Sequence, residues 1–244
     1  MTERTSTKTT TALNWKLPAG AVCSLKPSTS MRRGTASRGS ALRRRLKCEQ
    51  FLCKYCFTSC AIRRKRTTFK PDELATTFIS LHRERRVDGL FLSSGIVPDA
   101  DTTMEKMLAT VERLRLKEGY TGYIHLKLIP GASFEYIERA VELADRVSLN
   151  LEAPNQARLS ELAPDKEFAS SMWGRLAWAA ELIRRARLEG RRAARSLTTQ
   201  FVVGAVGESD RELLETVQRA HRELGLWRAY FSAFHPIERS PLAE

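Results

Sequence analysis

GYIHLKLI, residues 122–129, decides the fold. Ile124, Leu126 and Leu128 are aliphatic, and His125 and Lys127 between them are polar. A period of two marks a β-strand. So sharp a split means that one face meets an apolar core and the other meets something polar. The pattern recurs along the chain. Leu149 and Leu151 oppose Ser148, Asn150 and Glu152; Phe201, Val203 and Ala205 oppose Gln200, Val202 and Gly204; Ala229, Phe231 and Ala233 oppose Arg228, Tyr230 and Ser232. DGLFLSS at 88–94 is a further strand, closed by Gly95.

Helices separate these strands. Lys70-Pro71-Asp72-Glu73 opens one, with a proline that suits a first turn and acids that suit the N-terminal dipole. Thr102 and Glu105 read as a capping box ahead of Met104, Met107, Leu108 and Val111, and Gly119 ends that helix. Ser133 starts a helix through Ile137, Val141 and Ala144. Residues 170–192 read as a helix with a very basic rim. Ser209 and Glu212 form another capping box, leading to Gly225. Five strand–helix alternations predict a parallel α/β fold. Strands of a doubly wound sheet are apolar on both faces. The one-sided pattern therefore predicts a curved sheet, a partial (β/α)6 TIM-like barrel. Its helices lie outside, and its polar interior is loaded at the carboxyl ends of the strands.

The 244 residues, 42% hydrophobic, allow one domain with a tail. No apolar run reaches the about 18 residues of a spanning helix, and no apolar h-region follows Met1. These absences argue against an integral membrane protein and a secretory leader, and point to the cytoplasm. The formal charge of +13 is unevenly spread. Residues 1–47 hold 11 lysines and arginines against one acid, Glu3, whereas residues 48–244 hold 30 against 27. The first segment lacks a sustained apolar period and reads as a disordered, basic, low-complexity tail. Residues 48–244 form the core. Its run Arg63-Arg64-Lys65-Arg66 is more often a solvated face than a phosphate-binding patch.

Four of the five cysteines crowd into residues 48–60, as C-x4-C-x2-C-x3-C. That is a local site in a reducing compartment, not a disulfide framework. Three thiolates on a short loop can hold a [4Fe–4S] cluster with one iron left open. Four can hold a structural zinc, and small buried thiols can be inert. Spacing leaves zinc and cluster level. The aromatic Tyr55 directly before Cys56, the following helix and strand ending in Ser93-Ser94-Gly95, and the polar barrel interior favour the cluster.

With its aromatic before the third cysteine, this loop resembles the radical S-adenosylmethionine (radical SAM) superfamily. DGLFLSSGI at 88–96, GYIHLKLIPGA at 122–132, LADRVSLNLEAP at 143–154, LAPDK at 162–166, TTQFVVGAVGESDRELL at 198–214 and YFSAFHPI at 230–237 resemble the DNA modification/repair radical SAM proteins, which are often paired with a uracil-DNA glycosylase-like protein. The resemblance covers roughly residues 48–237. It implies an iron–sulfur enzyme whose [4Fe–4S] cluster cleaves S-adenosylmethionine reductively to a 5′-deoxyadenosyl radical. That radical would abstract hydrogen from a nucleic-acid or nucleotide-derived substrate, in DNA modification or repair. A reductase or a flavodoxin- or ferredoxin-type electron donor is implied as partner.

Laid on residues, the resemblance makes Cys48, Cys53 and Cys56 the metal ligands and sets Tyr55 beside the adenine. It puts Ser93, Ser94 and Gly95 at the methionine amino group and Asn150 and Glu152 at the ribose or sulfonium. Gln200 and the backbone of Val203 and Gly204 lie against the adenosine. Lys127 and Tyr230 are the substrate-side, catalytic candidates. Their plainer readings are an ion pair from Lys127 to Glu152 and a packed Tyr230 with a bonded hydroxyl. His125 reads as a satisfied barrel histidine, and Trp173, Trp178 and Trp227 as packing residues.

Three departures from the family pattern stand out. The family spacing is C-x3-C-x2-C, so the loop here carries one extra residue between Cys48 and Cys53, and Cys60 competes as a ligand. Where the family has an apolar first strand, this chain has Ala41-Leu42-Arg43-Arg44-Arg45-Leu46-Lys47, a poor buried strand. The family continues past the last matched strand, which predicts a C-terminally truncated core ending at Glu244. Two alternatives follow: an inactive, truncated homologue, and a zinc-containing nucleic-acid-binding protein with residues 48–66 as a basic knuckle.

Overall fold

The computed structural model describes residues 21–27, 53–56, 68–238 and 240–242. Its elements run β1 (Ala21–Pro27), α1 (Pro71–Arg83), β2 (Val87–Ser94), α2 (Ala100–Glu112), β3 (Tyr123–Lys127), α3 (Phe134–Leu143), β4 (Arg146–Ser148), α4 (Gln156–Leu162), α5 (Gly174–Leu188), β5 (Ser196–Val203), α6 (Asp210–Leu224) and β6 (Arg228–Ala233). The sheet order is β1-β2-β3-β4-β5-β6. The five strands β2 to β6 are parallel.

Strand order equals chain order, so no crossover reverses direction. Right-handed crossovers that all advance the same way set every helix on one face of the sheet. A right-twisted sheet covered on one face alone curls, which gives the partial TIM-like barrel. Burial follows the parity read from the sequence. Leu90, Ile124, Leu126, Val147, Leu149, Leu151 and Phe201 all have 0% exposure. They share one core with Met104, Leu108, Ile137, Val141 and Leu176 of the helices. Each such side chain stabilises by about 1.5–3 kcal/mol. On the other face the polar side chains satisfy one another. His125 Nε2 lies 2.8 Å from Ser148 Oγ, with the Phe91 ring 4.6 Å from the imidazole, and Arg146 Nε donates to Ser196 Oγ at 2.9 Å. His125 is thus the satisfied histidine expected.

The amino ends of the strands are closed by a clamp. Arg115, its side chain 6% exposed, pairs with Asp145 at 2.7 Å. It also donates to the carbonyls of Tyr120 (2.8 Å), Gly122 (2.7 Å) and Leu143 (3.1 Å). Asp145 accepts from the Ile124 N–H at 2.8 Å. One guanidinium therefore ties the starts of β3 and β4 together.

Several expectations need correction. The tail is not without regular structure: Ala21–Pro27 adds an antiparallel edge strand beside β2. An edge is where a strand tolerates a proline such as Pro27. The poor strand at 41–47 lies outside the described residues. The cap of α2 is Asp99, whose carboxylate accepts from the Thr102 N–H at 2.7 Å; Thr102 already sits inside the first turn. The second capping box, Ser209 with Glu212, is present at α6. The helix expected at 170–192 opens as a π-helical turn, Phe168–Trp173, before α5. The short helix α4 was not expected. Trp227 is 67% exposed and Phe231 52%, so among the described residues no helix covers the last strand and Trp227 is no packing residue. No helix among the described residues is long and apolar enough to cross a membrane.

Candidate functional site

The cysteine segment is a tight turn. The Cys56 N–H donates to the Cys53 carbonyl at 3.3 Å, and the Lys54 N–H donates to the Leu162 carbonyl at 2.9 Å, which anchors the turn on the end of α4. Cys53 is buried and Cys56 half-buried. Both face a cleft of about 410 Å³ at the carboxyl ends of the strands. That volume and a mixed lining suit a small organic ligand.

Ser94 and Gly95 reach this cleft from β2, Lys127 from β3, Asn150 and Glu152 from beyond β4, and Gln200 from β5, with Tyr55 beside the cysteines. Ile96, Ile129, Val202 and Phe234 supply the apolar wall. Most residues singled out from sequence therefore converge. Four do not line the cleft. Ser93 is buried one residue short of Ser94. Val203 follows the outward parity of Phe201. Gly204, at φ 85°, turns the chain away, and its N–H is taken by the Glu208 carboxylate. Tyr230 stands beside Gln200 on β6 but is 38% exposed, with Arg228 5.8 Å from its ring centroid. It is neither packed core nor a wall of the cleft. Cys48 and Cys60 lie outside the described residues.

Glu152 is the most constrained of the group. Its φ of 65° is left-handed, a region that L side chains avoid. The strand beside it holds it there: its N–H donates to the Gln200 carbonyl at 3.0 Å and its carbonyl accepts from the Val202 N–H at 2.8 Å. Such strain persists where neighbours over-determine it, and it clusters at functional sites. The carboxylate, 6% exposed as part of its residue, accepts a hydrogen bond from the Tyr55 hydroxyl. Burial, then the charges of Glu152, Cys53 and Cys56, push the Tyr55 phenol well above its ordinary range, so it remains a donor. No ion pair joins Lys127 to Glu152 among the described residues.

Lys166 takes the place expected for Lys127. It is buried, lines the cleft and hydrogen-bonds Cys53. Burial alone would lower its pKa. The charges of Cys53, Glu152 and Cys56 outweigh this and hold the ammonium above the ordinary lysine range. In the sequence Lys166 stands out only as the last residue of LAPDK at 162–166. It sits in a turn, where no periodicity reports depth.

The donor set fits an iron–sulfur group: two thiols one turn apart, beside a buried cation that offsets thiolate charge. Among the described residues, no group of three histidines, cysteines or carboxylates is arranged to hold a metal ion.

The chain is similar in structure to HydG, a maturase of the [FeFe]-hydrogenase, with a TM-score of 0.56 and 10% identity over 79% of this chain and 42% of that one. It is similar also to SuiB of Streptococcus suis, with a TM-score of 0.57 and 11% identity over 79% of this chain and 39% of that one. It thus spans about two fifths of each. At these identities the likeness concerns the fold. No curated protein matches the chain. The family model of the radical SAM superfamily matches residues 47–220, from just before the cysteine turn into α6. With most of its length so matched, and with the cysteine turn opening on a cleft at the carboxyl ends of parallel strands, the chain belongs to the radical SAM superfamily of enzymes.

Proposed function

We propose that residues 48–244 form a radical SAM catalytic core, preceded by a basic tail over residues 1–47. In this reading Cys53 and Cys56, with Cys48, hold a [4Fe–4S] cluster, and the cleft receives S-adenosylmethionine. When bound, that pair supplies the reductive cleavage that yields a 5′-deoxyadenosyl radical. The chain's own groups bind and orient. Ser94 and Gly95 offer hydroxyl and backbone to the methionine end. Asn150, Glu152 and Gln200 offer amide and carboxylate partners to ribose hydroxyls or an ammonium. Tyr55 closes the cleft over the adenine, and the apolar wall excludes water. Lys127, half-buried on the rim of the cleft, is the substrate-side cation. The cysteine turn meeting Asn150, Glu152 and Gln200 in one cleft is the observation that supports this reading.

The substrate is nucleic acid or nucleotide-derived, in DNA modification or repair, with an external flavodoxin- or ferredoxin-type reductant, in the cytoplasm. Here the support is the sequence resemblance alone. A uracil-DNA glycosylase-like protein is the partner that resemblance names.

Anaerobic reconstitution with iron and sulfide, then reduction by dithionite in the presence of S-adenosylmethionine, tests the core reading. The expected result is absorbance near about 400 nm, characteristic of such clusters, together with 5′-deoxyadenosine. Both should be lost in Cys53→Ala and Cys56→Ala. One zinc per chain without iron, or cluster content unchanged in both variants, overturns it.

A further inference from the structure

We infer that the end of the barrel opposite the cleft carries a nucleic-acid phosphate site at the turn from α5 into β5. Residues 181–195 hold six arginines and two glutamates, a net +4, against +3 for all of residues 48–244. A second run of the same charge, Arg63-Arg64-Lys65-Arg66, lies outside the described residues.

At the turn from α5 into β5, Arg187, Arg191, Arg192 and Arg195 surround a recess of about 480 Å³ floored by Ala193 and Ala194. The turn is pinned to the barrel. Ala194 N–H donates to the Val141 carbonyl (2.7 Å), Arg195 N–H to the Asp145 carbonyl (2.8 Å) and Arg191 N–H to the Ala186 carbonyl (2.8 Å). The guanidiniums are directed as well: Arg187 donates to the Arg195 carbonyl at 2.6 Å and Arg192 to the Glu142 carbonyl at 3.1 Å. Bonds to carbonyls fix a side chain without cancelling its charge. Asp145 lines the recess, but Arg115 already matches its charge at 2.7 Å, and Arg192 stands 3.7 Å away. Arg191 pairs with Glu189 at 2.6 Å. Arg187 and Arg195 have no carboxylate partner among the described residues.

Arg187, oriented by a carbonyl and without a carboxylate, and Arg195 beside it leave two guanidinium forks at the recess to meet a phosphate. Two such cations within one turn, flanked by the paired Arg191 and Arg192, match a ligand whose phosphates repeat at short intervals, as in a nucleic-acid strand. A lipid surface would need apolar anchors among the cations, and within residues 187–195 Leu188 is the exposed large apolar side chain. This inference shares its ligand class with the substrate proposed above, but it does not depend on the cluster.

The test is fluorescence anisotropy of a labelled DNA duplex with the full chain, titrated across salt, in parallel with anionic phospholipid vesicles. The basic tail adds its own contacts, so the readout is the difference between chains. Arg187→Ala with Arg195→Ala is expected to lower the slope of log affinity against log salt by about 2, one per phosphate contact, and to weaken binding alike for unrelated sequences. Arg195→Ala alone should lower it by about 1, and no described side-chain bond is lost in that variant. Replacing Arg43, Arg44 and Arg45 by alanine should lower the slope further and independently. An unchanged slope in both the Arg187/Arg195 double variant and Arg195→Ala overturns the site, as does a loss confined to vesicle binding. 5′-Deoxyadenosine formed by the same preparations reads the catalytic proposal separately. Its absence from the wild-type chain would sink that proposal and leave this one standing.

Discussion

Each end of the barrel holds a group of buried or half-buried charges, and the two groups are used differently. At the amino ends of the strands Arg115 is saturated: one carboxylate and three carbonyls take its donors, and Asp145 in turn accepts a backbone N–H. Every donor of Arg115 is taken, so this clamp has nothing left to offer a ligand. At the carboxyl ends Lys166 bonds to Cys53 and Tyr55 to Glu152 while all line a cleft, and Glu152 keeps a left-handed backbone there. Saturated polar groups rigidify a fold. Polar groups held under strain on a cavity wall are poised to exchange partners with something that enters.

The largest effect expected from this contrast is on stability. Arg115→Met leaves Asp145 with only the longer pair to Arg192 at 3.7 Å and takes one donor from each of three carbonyls. Breaking a buried pair in this way costs about 3–5 kcal/mol, read from urea unfolding. Combining it with Asp145→Asn should cost less than the sum of the two singles, since they share one network. An Arg115→Met chain within about 0.5 kcal/mol of wild type, the range of an ordinary surface change, would break the comparison. The cleft should answer differently. Glu152→Gln is expected to weaken S-adenosylmethionine binding roughly ten- to a hundredfold, the worth of a hydrogen bond to a charged group, with little movement of the unfolding midpoint. Calorimetric titration of the reconstituted protein checks the first part and urea unfolding the second. A large loss of stability with intact binding would make Glu152 a structural residue like Asp145.

The two ends were unequally legible in the sequence. Strand parity is set by whether a side chain meets helices or the interior, so Ile124, Leu126 and Leu128 announced their face and the barrel followed. The same parity carried Asn150, Glu152 and Gln200 correctly to the cleft. It failed where the chain leaves the ladder. Gly204 turns at positive φ, and Glu208 takes its N–H, which removes it and Val203 from the wall. Lys166 lies in a turn, and its depth depends on the cysteine turn docking on α4 through the Lys54 to Leu162 bond. Arg115 reads as one more cation on a basic helix end; its burial comes from contacts with residues up to 30 positions away. The edge strand β1 is hidden by the composition of the tail around it, and Asp99 outcompeted Thr102 as cap because the first turn starts at Ala100.

The smallest effect sharpens the comparison through pH and salt. Glu212 caps α6 through Ser209 and reaches Asn155 and Arg158 at α4, the helix that also seats the cysteine turn. The backbone N–H of Ser209, then the Arg158 guanidinium and the Ser209 hydroxyl, draw its pKa from 4.5 to about 2. A carboxylate whose folded pKa lies below its unfolded one adds stability above the unfolded value, and that stability is lost as pH falls through the folded value. Wild-type chain should therefore lose ground to Glu212→Gln between pH 4.5 and about 2, seen as converging urea midpoints. The Arg158–Glu212 side chains are 31% and 28% exposed, against 6% for Arg115. Salt near 1 M, where the screening length shrinks to about 3 Å, should narrow the gap between wild type and Glu212→Gln at neutral pH while leaving the Arg115→Met deficit nearly intact. If both deficits shrank alike, the clamp would be no more shielded than the cap, and the contrast between a saturated clamp and a working cleft would fail at its first premise.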